Sequence, residues 1–527
     1  MCGIVALIGS REAAPQLLEG LRQLEYRGYD SAGIATVEVA DGAASGSAGT
    51  LHCLRAEGKL VNLSQRFEER GAPGHCGIGH TRWATHGKPE ERNAHPHSDG
   101  RGEVAVVQNG IIENHRSLRD ELQATGVRFL SETDTEVIPH LISRELDRRT
   151  AAGEAPSGAT LLAAVQAVLP RLEGAYALAV LWGRVSDALV VARRQAPLII
   201  GFGEGEFLCA SDTPALAGVT RTILPLEDGE VALLGPLGIE LYDGEGRRCQ
   251  RSPQQLQGTD HVADKRSFRH FMLKEIHEQP ETVARWLGRH LPEAAGPGGP
   301  VVALPIEEGL LQDVQRIQVL ACGTSRHAAL VGAHLLEQLA GVPTGVAYAS
   351  EYRYAPPPLT AHTLTIGVTQ SGETADTLAA LAMEQQRRAD HGDPAYRARL
   401  LGITNRPESS LGRLVPQLID IQAGVEVGVA ATKTFMGQLL AFYGLALRLA
   451  ELRGSRTPEE LHRLAAALRG LPGQLRDLIE DHDRRCAELA HQFADTQDVI
   501  YLGRGINYPI AQIGRAQSEL QSHSDLV

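Results

Sequence analysis

Two rhythms divide the chain. Up to about residue 240, short alternating or apolar runs at 103–108, 177–181 and 188–192 are interspersed with stretches of helical apolar spacing at 13–24 and 135–146. This pattern predicts strands with helices on the outside. The polar stretch 250–268 loses both periodicities, and Glu278-Gln279-Pro280 and the segment 294–300 add breakers. A connection between domains is expected there.

Beyond it the order becomes strand, small-residue turn, helix. The run 317–321 passes through Gly323-Thr324-Ser325 into a helix ending near Leu339, and 364–369 passes through Ser371-Gly372-Glu373-Thr374 into another. Further strands are expected at 400–404 and 417–422, and a long helix at 434–452. This is the signature of a parallel sheet covered by helices. The run 499–503, followed by Arg504-Gly505, reads as the first strand of a second such unit.

At 527 residues the chain has room for about three or four domains, each able to bury its own core. Hydrophobic residues make up 43%, charged residues 22% and aromatic residues 4%, and the net charge is -13. Counterion release and surface attraction therefore favour neither nucleic acid nor an anionic membrane as partner. The seven cysteines (Cys2, Cys53, Cys76, Cys209, Cys249, Cys322, Cys486) are scattered, with no C-x-x-C pair, which argues against a disulfide framework or a zinc site. No signal peptide is read at the start, because the apolar run stops at Arg11-Glu12 without a basic region ahead of it. The apolar stretch 435–449 contains Gln438 and Arg448 and reads as a packed helix, so a cytoplasmic location is expected.

Removal of Met1 would place a thiol and a free α-amine on Cys2. A thiol of pKa about 8.5 is only slightly ionised at neutral pH, and an amine of pKa about 7.7–8 can take its proton, directly or through one water. Alone, Met-Cys-Gly reads more readily as an ordinary buried cysteine at a strand start. Four further segments decide between the two: Glu25-Tyr26-Arg27-Gly28-Tyr29-Asp30-Ser31, Gly79-His80-Thr81-Arg82-Trp83-Ala84-Thr85-His86-Gly87, Gln108-Asn109-Gly110-Ile111-Ile112-Glu113-Asn114 and Ser131-Glu132-Thr133-Asp134-Thr135-Glu136. In this order they resemble the glutaminase domain of class II glutamine amidotransferases. In the second half, Ala321-Cys322-Gly323-Thr324-Ser325, Thr369-Gln370-Ser371-Gly372-Glu373-Thr374-Ala375-Asp376-Thr377 and Gly428-Val429-Ala430-Ala431-Thr432-Lys433 resemble the sugar isomerase (SIS) domain. Together the layout is similar to the glutamine–fructose-6-phosphate aminotransferase family.

The resemblance implies a multidomain α/β and α+β chain. An N-terminal Ntn-hydrolase αββα sandwich (2–240) is followed by a linker (241–300), a doubly wound parallel-sheet SIS domain (301–455) and an incomplete second SIS domain (456–527). It implies conversion of glutamine and fructose 6-phosphate to glutamate and glucosamine 6-phosphate, in a homodimer if the SIS half folds. Cys2 takes the role of nucleophile, with Asn109 and Gly110 as the oxyanion-hole pair. Arg82, Thr85, His86 and Asp134 fall at the glutamine-holding positions, where a guanidinium suits the carboxylate and a carboxylate the ammonium. Trp83 falls at the gate of an ammonia passage. Thr324, Ser325, Thr369, Gln370, Ser371, Thr374 and Val429 fall at the sugar-phosphate contacts. Taken by themselves, the two turns read as helix caps, as does Asp134.

The likeness stops after Ala511. The family's lysine-rich helix with its catalytic glutamate is replaced by the segment 512–520, in which Leu520 falls at the glutamate position. Glu519 is one residue away, about 100° round a helix. The family's later histidine and Schiff-base lysine have no counterpart, as after a frameshift, and apolar surface without a partner is expected beyond that point. An uncoupled glutaminase is therefore the alternative enzyme, and phosphoribosyl amidotransfer a weaker one, since the Ser/Thr-rich turns match SIS. A sugar-phosphate sensor with a vestigial amidotransferase module fits less well, because Cys2, Asn109, Gly110 and Asp134 are all present. No metal or organic cofactor is implied: His95 and His97 come nearest to a cluster and read as turn or core residues.

Overall fold

The structure is a computed structural model that describes residues 2–25, 28–39, 48–83, 87–256, 265–291, 300–428, 430–496 and 498–513. It forms two compact units, Met1–Val262 and Ala263–Val527.

The first unit is built on two antiparallel sheets. The eight-stranded sheet has Gly3–Gly9 between Cys76–Arg82 and Glu206–Ala210, with Ser31–Glu38 beyond. The seven-stranded sheet carries Val104–Ile112, Gly174–Trp182 and Val185–Arg194 side by side. Strand Gly3–Gly9 is apolar throughout because both of its faces are covered. Ile4, Ala6 and Ile8 face inward to Ala105, Val107, Ala177 and Leu181 of the other sheet. Val5 and Leu7 face outward onto the helix Ala13–Leu24 through Leu17 and Leu21. Gly20 lets that helix approach, since a Cβ there would lie 2.9 Å from Val5 Cγ1. On the far side, Val104, Val106 and Val180 meet Leu118, Leu122, Ile138, Leu141 and Leu161 of the helices His115–Ala124, Val137–Ala151 and Gly158–Val168. The layers are thus helix, sheet, sheet, helix, the αββα sandwich expected. Each buried Leu, Ile or Val contributes about 1.5–3 kcal/mol to these contacts.

The second unit contains a five-stranded parallel sheet in the order Thr344–Tyr348, Arg316–Ala321, Thr363–Val368, Leu400–Thr404, Gln417–Asp420. One face packs on Gly323–Ala340, Lys433–Arg453 and Gln279–His290 through Leu336, Phe442 and Trp286. The other packs on Ala349–Tyr352, Ala375–His391 and Ser410–Leu414 through Tyr352, Leu381 and Leu411. Helices on both faces make it doubly wound. Lys433–Arg453 is long and apolar enough to cross a membrane, and 61% of its most apolar window is buried in the unit, as in a core helix.

Two expectations need correction. The unit boundary falls inside the expected linker, but much of 241–300 is structured: Gly238–Tyr242 and Arg248–Cys249 complete the second sheet, and Phe271–His277 and Gln279–His290 are helices. Pro280 stands in the first turn of the second helix, where a missing N–H removes no bond. The run 499–503 joins no sheet among the described residues, since an apolar run becomes a strand only beside a partner ladder. It follows a 35-residue helix, Pro458–Gln492, which buries Leu461, Ala465 and Leu468.

Candidate active sites

In the first unit, the segment ahead of strand Gly3–Gly9 brings Cys2 to the end of the neighbouring strand Cys76–Arg82, whose pairing sets Gly3 opposite Thr81. The Trp83 N–H donates to Cys2 Sγ over 3.2 Å, and the thiol lies 3.6 Å from the Trp83 carbonyl. The other sheet presents Asn109, whose Nδ2 donates to the Cys2 carbonyl at 3.0 Å. Gly110 follows at φ 107°, where a Cβ would lie 2.1 Å from the Ala175 carbonyl oxygen, so only glycine fits. Arg82 is buried and donates to the Lys88 and Gly87 carbonyls. Its pKa is lowered by burial, against which Cys2, Asp30 and Asp134 act to raise it, so these groups share one electrostatic site. The Trp83 ring meets Tyr29 edge to face at 5.4 Å.

Asp134 does not cap a helix. Its Oδ2 accepts the Ile112 N–H at 2.7 Å, and the next helix starts at Val137 without a side-chain cap. The carboxylate is thereby tied to the strand that carries Asn109 and Gly110. Thr85 and His86 lie outside the described residues, as does Val429.

Beneath Asn109 lies a buried histidine column, in which His80 joins His95 and His97, the pair read from the sequence as turn or core residues. His80 stacks on His95 at 4.1 Å, and His95 meets His97 edge-on at 4.6 Å. Burial lowers the pKa of His80 and His97 to about 3 and that of His95 well below its ordinary value, so all three are neutral. His80 stood in a quoted motif; its contact across the sheets has no local sequence signal.

In the second unit, Ala321 and Val368 end adjacent parallel strands, so the turns 323–325 and 369–374 emerge side by side at the carboxyl edge of the sheet. Such an edge, with helix N-termini behind it, favours an anion. Thr369 and Thr374 join their hydroxyls at 2.6 Å, Ser371 Oγ accepts the Glu373 N–H at 3.1 Å, and buried Ser325 accepts from Gln438 Nε2 at 3.0 Å. The Gln370 carbonyl accepts the Asn405 N–H at 3.2 Å, and Thr324 lies in the first turn of Gly323–Ala340. Residues 427–428 and 432–434 are held by two carboxylates the sequence reading missed. Glu275 accepts the Val427 and Gly428 N–H groups, and Glu426 those of Thr432 and Thr434.

An antiparallel αββα layer in which Cys2 meets Asn109, followed along the chain by a doubly wound parallel sheet, is the architecture of a glutamine amidotransferase domain followed by an SIS domain. The known families agree: the glutamine amidotransferase domain matches residues 80–218 and the SIS domain residues 310–448. The chain is 57% identical over 517 residues to "Glutamine--fructose-6-phosphate aminotransferase [isomerizing]" of Thermosynechococcus vestitus, covering 98% of this chain and 80% of that one. The protein of the same name from a Nostoc species is 55% identical over 515 residues, with 98% and 80% covered. Among solved structures, the C-terminal domain of glucosamine-fructose-6-phosphate aminotransferase from Francisella tularensis is 34% identical, with TM-score 0.43, over 48% of this chain and 67% of that one. The chain belongs to the glutamine–fructose-6-phosphate aminotransferase (isomerizing) family.

Proposed function

We propose that the chain, with Met1 removed, hydrolyses glutamine at Cys2 and passes the ammonia to fructose 6-phosphate, giving glutamate and glucosamine 6-phosphate in the cytoplasm. Cys2 Sγ attacks the side-chain carbonyl of glutamine and its proton goes to the α-amine of the same residue. The tetrahedral oxyanion is held by Asn109 Nδ2 and the Gly110 N–H, a preorganised pair in which each donor is worth about 3–4 kcal/mol. Ammonia departs with a proton, and water then cleaves the thioester to glutamate. Arg82 and Asp134 hold the two charged ends of glutamine, with Thr85 and His86 beside them, and Trp83 gates the ammonia. Thr324, Ser325, Thr369, Gln370, Ser371, Thr374 and Val429 hold the sugar phosphate. The observation that carries this reading is the meeting of Cys2 Sγ with the Trp83 N–H and of the Cys2 carbonyl with Asn109 Nδ2, in a chain 57% identical to its relative. The test measures glutamate and glucosamine 6-phosphate together, with and without fructose 6-phosphate, in the chain and in Cys2→Ala. Both products are expected from the chain and no glutamate from the variant; glutamate release by Cys2→Ala refutes the mechanism.

Leu520 at the position of the family's catalytic glutamate favours a second reading, in which glutamine hydrolysis runs without sugar amination. Glutamate without glucosamine 6-phosphate in the same assay selects it. A homodimer is also proposed, and sedimentation of the full chain tests it.

A further inference from the structure

An asparagine amide can present either its oxygen or its nitrogen to a substrate, and only the nitrogen stabilises an oxyanion. In this fold something must fix that choice, because a flipped Asn109 would point a second lone-pair oxygen at the developing negative charge. His80 is placed to do so. Its Nε2 lies 3.1 Å from Asn109 Oδ1 and 3.0 Å from the Gln108 carbonyl oxygen. Both neighbours are acceptors, so Nε2 carries the hydrogen and Asn109 Oδ1 faces the ring, leaving Nδ2 toward Cys2, 3.0 Å from its carbonyl.

The ring beneath it, His95, is fixed in its own tautomer. The Gln108 N–H donates to His95 Nδ1 at 3.3 Å, and the Thr135 hydroxyl donates to Gln108 Oε1 at 2.7 Å, so His95 Nε2–H donates to Thr135 Oγ1 at 3.3 Å. His95 stacks on the His80 ring and fixes its plane. Among the described residues His80 Nδ1 is buried without a hydrogen-bond partner, so a proton there would meet no acceptor among them. The ring is neutral as well as oriented.

We propose that His80 is the positioning residue of the oxyanion hole, its Nε2–H holding Asn109 so that the amide nitrogen meets the tetrahedral intermediate formed on Cys2. The inference rests on the reading of Cys2 and Asn109 given above. It assigns His80 no contact with substrate; it acts through Asn109.

The experiment compares His80→Leu, which removes the donor, with His80→Gln, which supplies one from an amide, in the full chain. Four readouts are taken: glutaminase kcat and KM, inhibition by glutamate γ-semialdehyde, the alkylation rate of Cys2 by iodoacetamide, and the melting temperature. The aldehyde forms a hemithioacetal whose oxygen occupies the hole, whereas alkylation makes no oxyanion. The leucine variant is expected to lose about 10²-fold in kcat and in aldehyde affinity, with KM and alkylation unchanged. The glutamine variant should recover most of that loss, and in an Asn109→Ala background the leucine change should add nothing. Full kcat in folded His80→Leu, or a parallel fall in alkylation and kcat, overturns the proposal. Should leucine unfold the chain, His80→Met gives the same test. Glutamate release by Cys2→Ala would instead overturn the underlying site reading.

Discussion

The peptide N–H of Trp83 lies 3.2 Å from Cys2 Sγ, and the position of that peptide is set by Gly28. A Cβ on Gly28 would stand 2.6 Å from the Arg82 carbonyl carbon and 2.8 Å from Trp83 N. An N–H aimed at sulfur favours the thiolate, and a hydrogen bond to a charged group is worth about 1.5–3 kcal/mol. Gly28→Ala must therefore push the donor away from Cys2 Sγ. The expected result is Cys2 alkylation slowed about tenfold at neutral pH, followed by mass spectrometry, with glutaminase kcat falling alongside. An unchanged alkylation rate would show that this peptide does not activate the sulfur.

Gly372 plays a comparable part in the second unit. Its φ is 68°, and a Cβ would lie 1.8 Å from Ser409 Oγ and 2.3 Å from Ser409 Cβ. The turn is latched there: the Gly372 carbonyl accepts the Leu411 N–H at 3.0 Å, and Glu373 Oε1 accepts the Ser410 N–H at 2.8 Å. Gly372→Ala adds a left-handed strain of about 1 kcal/mol to this clash and displaces Ser371 and Thr374. Calorimetry should show fructose 6-phosphate affinity reduced more than about tenfold, equivalent to about 1.4 kcal/mol, while glutamine hydrolysis without sugar persists. Normal sugar affinity would remove this turn from the phosphate site.

The strongest periodicities were legible in the sequence because local patterning suffices for them. Helix Ala13–Leu24 and strand Leu400–Thr404 fall where their apolar spacing puts them. The run 499–503 has the composition of a strand, but pairing is a tertiary property and no described strand lies beside it. Asp134 has the sequence context of a cap, yet its carboxylate goes to Ile112 on a strand of the second sheet. Motifs singled out Cys2 and Asn109, which the structure brings within hydrogen-bond reach of each other. The contact of His80 with His95 was not legible, since the two meet only when two sheets stack, and Glu275 reaches Val427 across more than 150 positions of sequence.

That last carboxylate should report on pH. Burial and the nearby Glu426 raise the Glu275 pKa to about 7, against the pull of the Val427 and Gly428 N–H groups. A folded-state value above the unfolded one means that between about pH 4.5 and 7 the native state holds a proton the unfolded chain has released. The contribution of Glu275 to stability is therefore complete below that window and is lost as pH rises through it, by about 3 kcal/mol. Glu275→Gln keeps an acceptor for the two amides and does not titrate. Urea unfolding at pH 5, 6 and 7.5 should show the variant gaining on the parent as pH rises, a difference in which the other titrating groups cancel. A pH-independent difference refutes the raised pKa.

The C-terminal region carries a different consequence. Helix Pro458–Gln492 buries its first turns, but Leu478 is 53% exposed, and beyond it Phe493 is 56%, Ile500 84% and Leu502 89% exposed. Covering one such side chain gains about 1.5–3 kcal/mol, so covering several outweighs the usual reluctance of a charged surface to associate. The chain is expected to show a mass by light scattering that rises with concentration. Ile500→Lys combined with Leu502→Lys should make that mass independent of concentration, because each lysine must be desolvated to enter the contact. Glutaminase activity should be unaffected, since neither residue belongs to the unit that carries Cys2. A mass constant over the same range in the unaltered chain would mean that this surface is too dispersed to drive association.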